Sequence, residues 1–146
     1  MLRRDYILRI IEEFTKALAL VNEKDLSKKK DEIKKLYDQY VGPYELYHNA
    51  EMGDVMETFH RYPQQERAER MEMLAELYYT EADLHAGQTS QDMLMRAFAL
   101  FDFIDRHDKT YSLERLAKMN DIKKRLEAAV NSGKTATNDG PADKGQ

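Results

Sequence analysis

The chain has 146 residues, of which 42% are hydrophobic and 34% are charged. This balance is too apolar for disorder, and no apolar stretch approaches the ~20 residues that cross a bilayer. The absence of cysteine excludes disulfides, thiolate zinc sites and cysteine nucleophiles. Charges interrupt the N-terminal region, which therefore does not look like a secretory signal. We expect a soluble, cytoplasmic, helix-rich domain with no membrane segment.

Apolar residues recur at steps of three to four, which predicts an all-α fold of about six antiparallel helices packed as stacked hairpins. Leu8 and Leu20 widen the apolar face of the first helix, so we expect that helix to be well buried. The six predicted helices span residues 3–22, 25–41, 44–61, 63–85, 90–106 and 113–131.

Glycine, proline and hydroxyl residues mark the predicted helix ends. Gly42 and Pro43 are expected to stop the second helix, because proline excludes helical geometry at the preceding residue. Gly87 is expected to close the helix over 63–85. Hydroxyl residues are expected to cap the helices that follow: Thr89, Ser90 and Ser112.

The last stretch, residues 132–146, contains no large apolar residue. Such a segment buries too little surface to offset its chain entropy. The sequence therefore predicts one helical domain over 1–131 and a disordered tail over 132–146.

The net charge of −4 is unevenly distributed. Residues 1–43 carry a net +2, residues 44–107 a net −8 and residues 108–131 a net +2. The acidic section would attract a basic partner, or the basic ends of a second copy in a homodimer. The lysine-rich stretch 28–35 is interleaved with acidic residues, which favours a solvated helix face over nucleic-acid binding.

Two stretches, near the two ends of the helical region, carry a resemblance. The start, Asp5-Tyr6-Ile7-Leu8-Arg9-Ile10-Ile11-Glu12, resembles the N-terminus of a bacterial family of small all-helical, tetratricopeptide-like proteins of unknown function. Phe103-Ile104-Asp105 with Lys109-Thr110-Tyr111-Ser112-Leu113-Glu114-Arg115 and Lys118 is similar to that family's C-terminal helix. The residues Leu77-Tyr78-Tyr79, Gly87, Arg96-Ala97-Phe98 and Phe101 look like one degenerate tetratricopeptide repeat. The resemblance implies helical hairpins and brings no activity with it.

The strongest metal-like pattern is Glu57-x-x-His60, the spacing that ferritin-like di-iron bundles use. Such centres need two of these pairs, and the sequence holds one. The remaining histidines, including Glu81-x-x-x-His85, are interpreted as surface or interfacial residues. No nucleophile, base and orienting group stand at a recognisable spacing, so we expect no metal, no cofactor and no enzyme.

Tyrosines form the most distinctive local composition. Tyrosine joins apolar area to one polar tip, which suits recognition surfaces. The predicted function is a protein–protein interaction or adaptor module that uses a helical groove. Its alternatives are a small-ligand- or metal-binding helical bundle and a homodimeric structural protein. Candidate partner-binding residues are Tyr44, Tyr47, His48, Tyr78 and Tyr79.

Overall fold

A computed structural model describes the backbone of residues 3–108 and 111–145 and the side chains of residues 4–108 and 111–132. Every regular element in this part of the chain is helical. The elements are α1 (Arg3–Asn22), α2 (Leu26–Tyr40), α3 (Tyr44–Asn49), α4 (Met52–Glu57), a 3₁₀-helix (Thr58–Arg61), α5 (Gln64–Ala82), α6 (Gly87–His107) and α7 (Leu113–Gly145). The all-α prediction is confirmed.

The chain divides into two compact units, Met1–Tyr111 and Ser112–Gln146. In the first unit α5 is the central helix, since it contacts α1, α2, α6 and the 3₁₀-helix. Its sequence is apolar on more than one face, as expected of a helix with neighbours on several sides. Buried residues of α5 include Met73, Leu74, Leu77 and Tyr78.

The first helix is less buried than predicted. Ile7, Phe14 and Val21 are at most 3% exposed and form its inner stripe, one residue every two turns. Leu8 and Leu20 are 47% and 62% exposed, so the wider apolar face predicted for α1 is wrong. A helix that packs on one side buries only a narrow stripe, and these two leucines lie outside it.

The segment predicted as one helix over 44–61 is three short elements. The break falls at Ala50 and Glu51, whose backbones are extended, and Gly53 lies inside α4. Arg96 of α6 donates hydrogen bonds to the carbonyl oxygens of Tyr47 (3.1 Å) and Ala50 (2.8 Å). A distant guanidinium thus satisfies carbonyls at the end of α3, a contact that local sequence cannot reveal.

Two predicted helix ends also differ from the structure. Gly87 starts α6 with a φ of +61° and does not close α5, which ends at Ala82. Ser90 lies inside α6, and its hydroxyl donates to the carbonyl oxygen of Ala82 (2.8 Å). Ser90 therefore caps the end of α5, whereas the predicted role was at the start of α6. The second helix, predicted to end at residue 41 before Gly42 and Pro43, ends at Tyr40, so its predicted stop is confirmed within one residue.

The second unit contains α7. The Ser112 hydroxyl accepts a hydrogen bond from the backbone N–H of Arg115 (3.1 Å), which confirms its predicted role as a cap. Leu113, predicted to face inward, is 71% exposed. The disordered tail predicted over 132–146 lies, beyond Ser132, outside the residues whose side chains are described, and it stays a prediction along with the domain boundary at 131.

Among the described residues, no helix combines the length and apolar character needed to cross a membrane.

Candidate functional site

A buried carboxylate, Glu81, lies at the end of α5 and collects hydrogen bonds from three directions. Its side chain is 2% exposed. One oxygen, Oε1, accepts from the hydroxyl of Tyr37 in α2 (2.7 Å) and faces Nε2 of His48 in α3 (2.7 Å). The other, Oε2, accepts from the hydroxyl of Tyr44 and faces Nε2 of His85 (3.0 Å). Both carboxylate oxygens are therefore fully used within the chain.

His48 is oriented by two acceptors. Its Nδ1 lies 2.7 Å from the carbonyl oxygen of Tyr44, and its Nε2 faces Glu81. A carbonyl and a carboxylate can only accept, so the imidazole of His48 is held between two acceptors. Its ring also stacks on that of Tyr44, with 3.7 Å between centroids.

The ionisation of these groups follows from their surroundings. Burial disfavours a charged Glu81, but hydrogen bonds from His48, Tyr44 and Tyr37 outweigh it and lower its pKa to about 2. Burial, reinforced by the neighbouring Glu81, raises the pKa of Tyr37 and of Tyr44 above the usual value. The site therefore combines an ionised carboxylate with neutral phenols.

Two further tyrosines fix the position of α3. Tyr78 of α5 donates a hydrogen bond to the carbonyl oxygen of Tyr47 (2.6 Å), and burial, opposed by Arg96, raises its pKa to about 12. The Tyr47 ring packs directly on Gly42, where an added Cβ would lie 2.9 Å from the ring. Glycine at this corner lets α3 approach the end of α2 closely and brings Tyr44 and His48 to Glu81.

A groove of about 620 Å³ opens beside this cluster, between α2 and the turn that follows α5. Its apolar lining includes Leu26, Ile33 and Leu84, and its polar lining includes Lys30 and Lys34. Tyr44, Glu81 and His85 belong both to the cluster and to the groove. The hydrogen-bonded cluster thus forms one side of an open cleft.

Two of the five predicted partner-binding residues, Tyr44 and His48, contact Glu81, and the exposure of the five is uneven. Tyr44 and His48 are partly exposed, whereas Tyr47 and Tyr78 are fully buried. Tyr47 is buried because its ring fills the space over Gly42. Tyr79, also partly exposed, packs edge-on to Phe101 of α6, with 6.5 Å between ring centroids. Their role in partner binding stays a prediction.

The pattern Glu57-x-x-His60 is a surface feature. The Glu57 Oε2 and His60 Nδ1 atoms are 3.7 Å apart, and the two side chains are 74% and 65% exposed. Within the part of the chain that the structure describes, no group of three or more histidine, aspartate or glutamate side chains is arranged to hold a metal ion. His48 and His85 approach opposite oxygens of Glu81, which separates them.

Sequence reasoning missed Glu81 as the centre of the site. The interpretation of His48 as a surface or interfacial residue did not include its contact with Glu81; its side chain is 15% exposed. The Glu81-x-x-x-His85 spacing was the available signal, but the partners from α2 and α3 lie 44 and 33 residues away in the chain. Only the tertiary fold brings them together.

Comparison with known proteins adds no family to this description: no family model, no curated protein and no solved structure matches the chain. The class of protein is therefore argued from the helices and the groove. The resemblance to a tetratricopeptide-like bacterial family stays a prediction.

Proposed function

We propose that this chain is a protein-interaction module and that the groove between α2 and the end of α5 receives a segment of its partner. The observation that carries the proposal is the apolar lining of an open cleft. Leu26 is 58% exposed in this groove, next to Ile33 and Leu84, which are largely buried. Covering such a leucine stabilises a complex by about 1.5 kcal/mol or more.

The groove has a rigid side, which favours binding. Tyr44 and His85 are both hydrogen-bonded to Glu81, and Tyr44 also stacks on His48. Side chains already fixed in the free protein lose little entropy on binding. Holding these side chains in place is a benefit that offsets the free energy cost of burying the charged carboxylate of Glu81.

The proposal includes the finer architecture expected from the sequence, antiparallel hairpins stacked in a tetratricopeptide-like manner, because such stacks present concave surfaces to partners. It assigns no catalytic role to the chain and places it in the cytoplasm. The basic partner expected from the acidic section 44–107 is not part of this proposal. Glu69, one of the acidic residues expected to attract that partner, is paired with Arg4 of the same chain at 2.6 Å.

The experiment is selection of a random peptide library on the immobilised 146-residue chain, followed by affinity measurement on the selected peptides. The test variant is Leu26→Asp, which puts a charge in the apolar lining. The matched control is Leu20→Asp, since Leu20 is similarly exposed at 62% but does not line the groove. We expect Leu26→Asp to weaken binding about tenfold or more, and Leu20→Asp to change it less than about twofold.

Failure to select any peptide, or equal losses in the two variants, would contradict the groove as the binding surface. A second copy of the chain as occupant would appear in light scattering as a dimer that Leu26→Asp disrupts and Leu20→Asp does not.

A small-ligand site is the second candidate, favoured by the volume of the groove. About 620 Å³ falls in the range of about 300–1,000 Å³ typical of pockets for small molecules. Mass spectrometry of the purified protein under native conditions distinguishes the two. A bound small molecule that Leu26→Asp removes would favour this candidate over the peptide groove.

A further inference from the structure

We infer that the segment bound in the groove is acidic and carries an apolar side chain; this rests on the proposed function and specifies the partner. The inference comes from the two lysines in the groove. Lys30 and Lys34 are four residues apart on α2, so they project from the same side of the helix, about 6 Å apart along its axis. Both side chains are exposed.

These two ammonium groups are available to a partner. Among the described residues of α2, Lys35 forms an ion pair with Glu32, with its Nζ 3.0 Å from the carboxylate. Neither Lys30 nor Lys34 forms one with any residue whose side chain the structure describes. Lys34 is instead held over the ring of Tyr44, with its Nζ 5.2 Å from the centroid. A cation–π contact leaves the ammonium free to bind a carboxylate while it restricts the side chain.

The acidic groups of the groove do not cancel this positive charge. Glu81 is ionised, but its side chain is 2% exposed and both of its oxygens are occupied by internal partners, so it does not add to the charge of the exposed rim. Asp31 is the other acidic residue that lines the groove, so one negative charge there faces the two positive charges of Lys30 and Lys34. A positive excess therefore remains at the rim, beside the exposed Leu26.

The geometry indicates how such a segment would be recognised. An apolar side chain would cover Leu26, and two carboxylates about one helical turn apart would reach Lys30 and Lys34. Charged contacts at the rim of an interface set specificity and the rate of association more than affinity. The lysines would therefore select among partners that share the apolar contact.

The test compares two charge-reversed proteins that have the same net charge. Lys30→Glu/Lys34→Glu changes the groove. Lys24→Glu/Lys28→Glu changes two lysines at the same spacing that do not line it. Fluorescence anisotropy is measured on the selected peptides and on versions with every Asp and Glu changed to the amide. At physiological salt we expect about tenfold weaker binding for the groove variant and less than about threefold for the control.

The outcomes separate this inference from the proposed function. Selected peptides that lose binding in Leu26→Asp but lack acidic residues, or bind equally as amides, overturn the acidic partner and leave the groove intact. Absence of any peptide sensitive to Leu26→Asp overturns both. Binding to phosphatidylglycerol-rich vesicles that the groove variant abolishes, with no acidic peptide bound, would instead assign the lysines to an anionic membrane surface and overturn the inference.

Discussion

Two glutamate–histidine contacts in this chain use the same chemistry in opposite surroundings. Glu57 and His60 are neighbours on a short surface segment, 3.7 Å apart and largely exposed. Glu81 is 2% exposed and lies 2.7 Å from His48 and 3.0 Å from His85. An exposed pair contributes little because water competes for both partners, whereas a buried charge must be paired.

The comparison shows that residue spacing is a poor guide to the importance of a polar pair. The pair with the metal-like i,i+3 pattern is the exposed one. The buried site depends on Tyr37 and His48, which reach Glu81 from two other helices. Burial and long-range partners decide which carboxylate matters, and we expect the following measurements to reflect that difference.

The largest expected effect is that of Glu81→Gln. This change removes the buried negative charge and weakens the hydrogen bonds that Tyr37, Tyr44 and His48 make to it. Hydrogen bonds to a buried charge are strong and leave several groups poorly paired when it is removed, so we expect the free energy of unfolding to fall by about 3 kcal/mol. Urea unfolding followed by circular dichroism measures it, and a loss below about 1 kcal/mol would contradict the description of this cluster.

Lowering the pH should remove the stabilisation by ionised Glu81 from the wild-type protein. The pKa of Glu81 is about 2 in the folded protein and 4.5 for an ordinary glutamate. Its ionised form therefore stabilises the fold fully above about pH 5, and this stabilisation is lost as the pH falls towards 2. The difference in unfolding free energy between wild type and Glu81→Gln, about 3 kcal/mol at pH 7, should shrink to less than about 1 kcal/mol near pH 2. A constant difference across this range would show that Glu81 is not ionised.

Two tyrosines of α2 sharpen the comparison at the level of single hydrogen bonds. Tyr37 donates to buried Glu81 at 2.7 Å, and Tyr40 donates to exposed Glu13 at 3.3 Å. Tyr37→Phe should cost about 2 kcal/mol and Tyr40→Phe less than about 1 kcal/mol, since the first acceptor is a buried charge. Equal losses, measured by urea unfolding, would mean that burial of the acceptor does not determine the strength of these bonds.

Local sequence was sufficient to predict much of the fold. The span of α1 and the end of α2 before Gly42 and Pro43 follow from helical periodicity and from the geometry of proline, and both are observed within one or two residues. The helix ends around Gly87 were wrong because Ser90 satisfies a carbonyl of the preceding helix. Which of the two helix ends Ser90 caps depends on how the helices pack.

The candidate site was predictable only in part. Tyr44 and His48 were among the candidates named from the tyrosine-rich composition, and both contact Glu81. Glu81 was one of 27 acidic residues, and nothing in its neighbourhood except His85 distinguishes it. Its importance arises from Tyr37 and His48, which are brought to it by the close approach of α3 to α2 over Gly42.

The smallest expected effect is at the exposed pair, and it tests the comparison from the other side. The double variant Glu57→Gln/His60→Gln removes an ion pair whose partners are 74% and 65% exposed. Since water already solvates both groups, the free energy of unfolding should change by less than about 0.5 kcal/mol. Isothermal titration with zinc and manganese should give the same result for the two proteins, because two exposed ligands alone do not make a closed site. Stoichiometric metal binding that disappears in the variant, or a loss of stability comparable with that of Glu81→Gln, would show that the surface pair is functional.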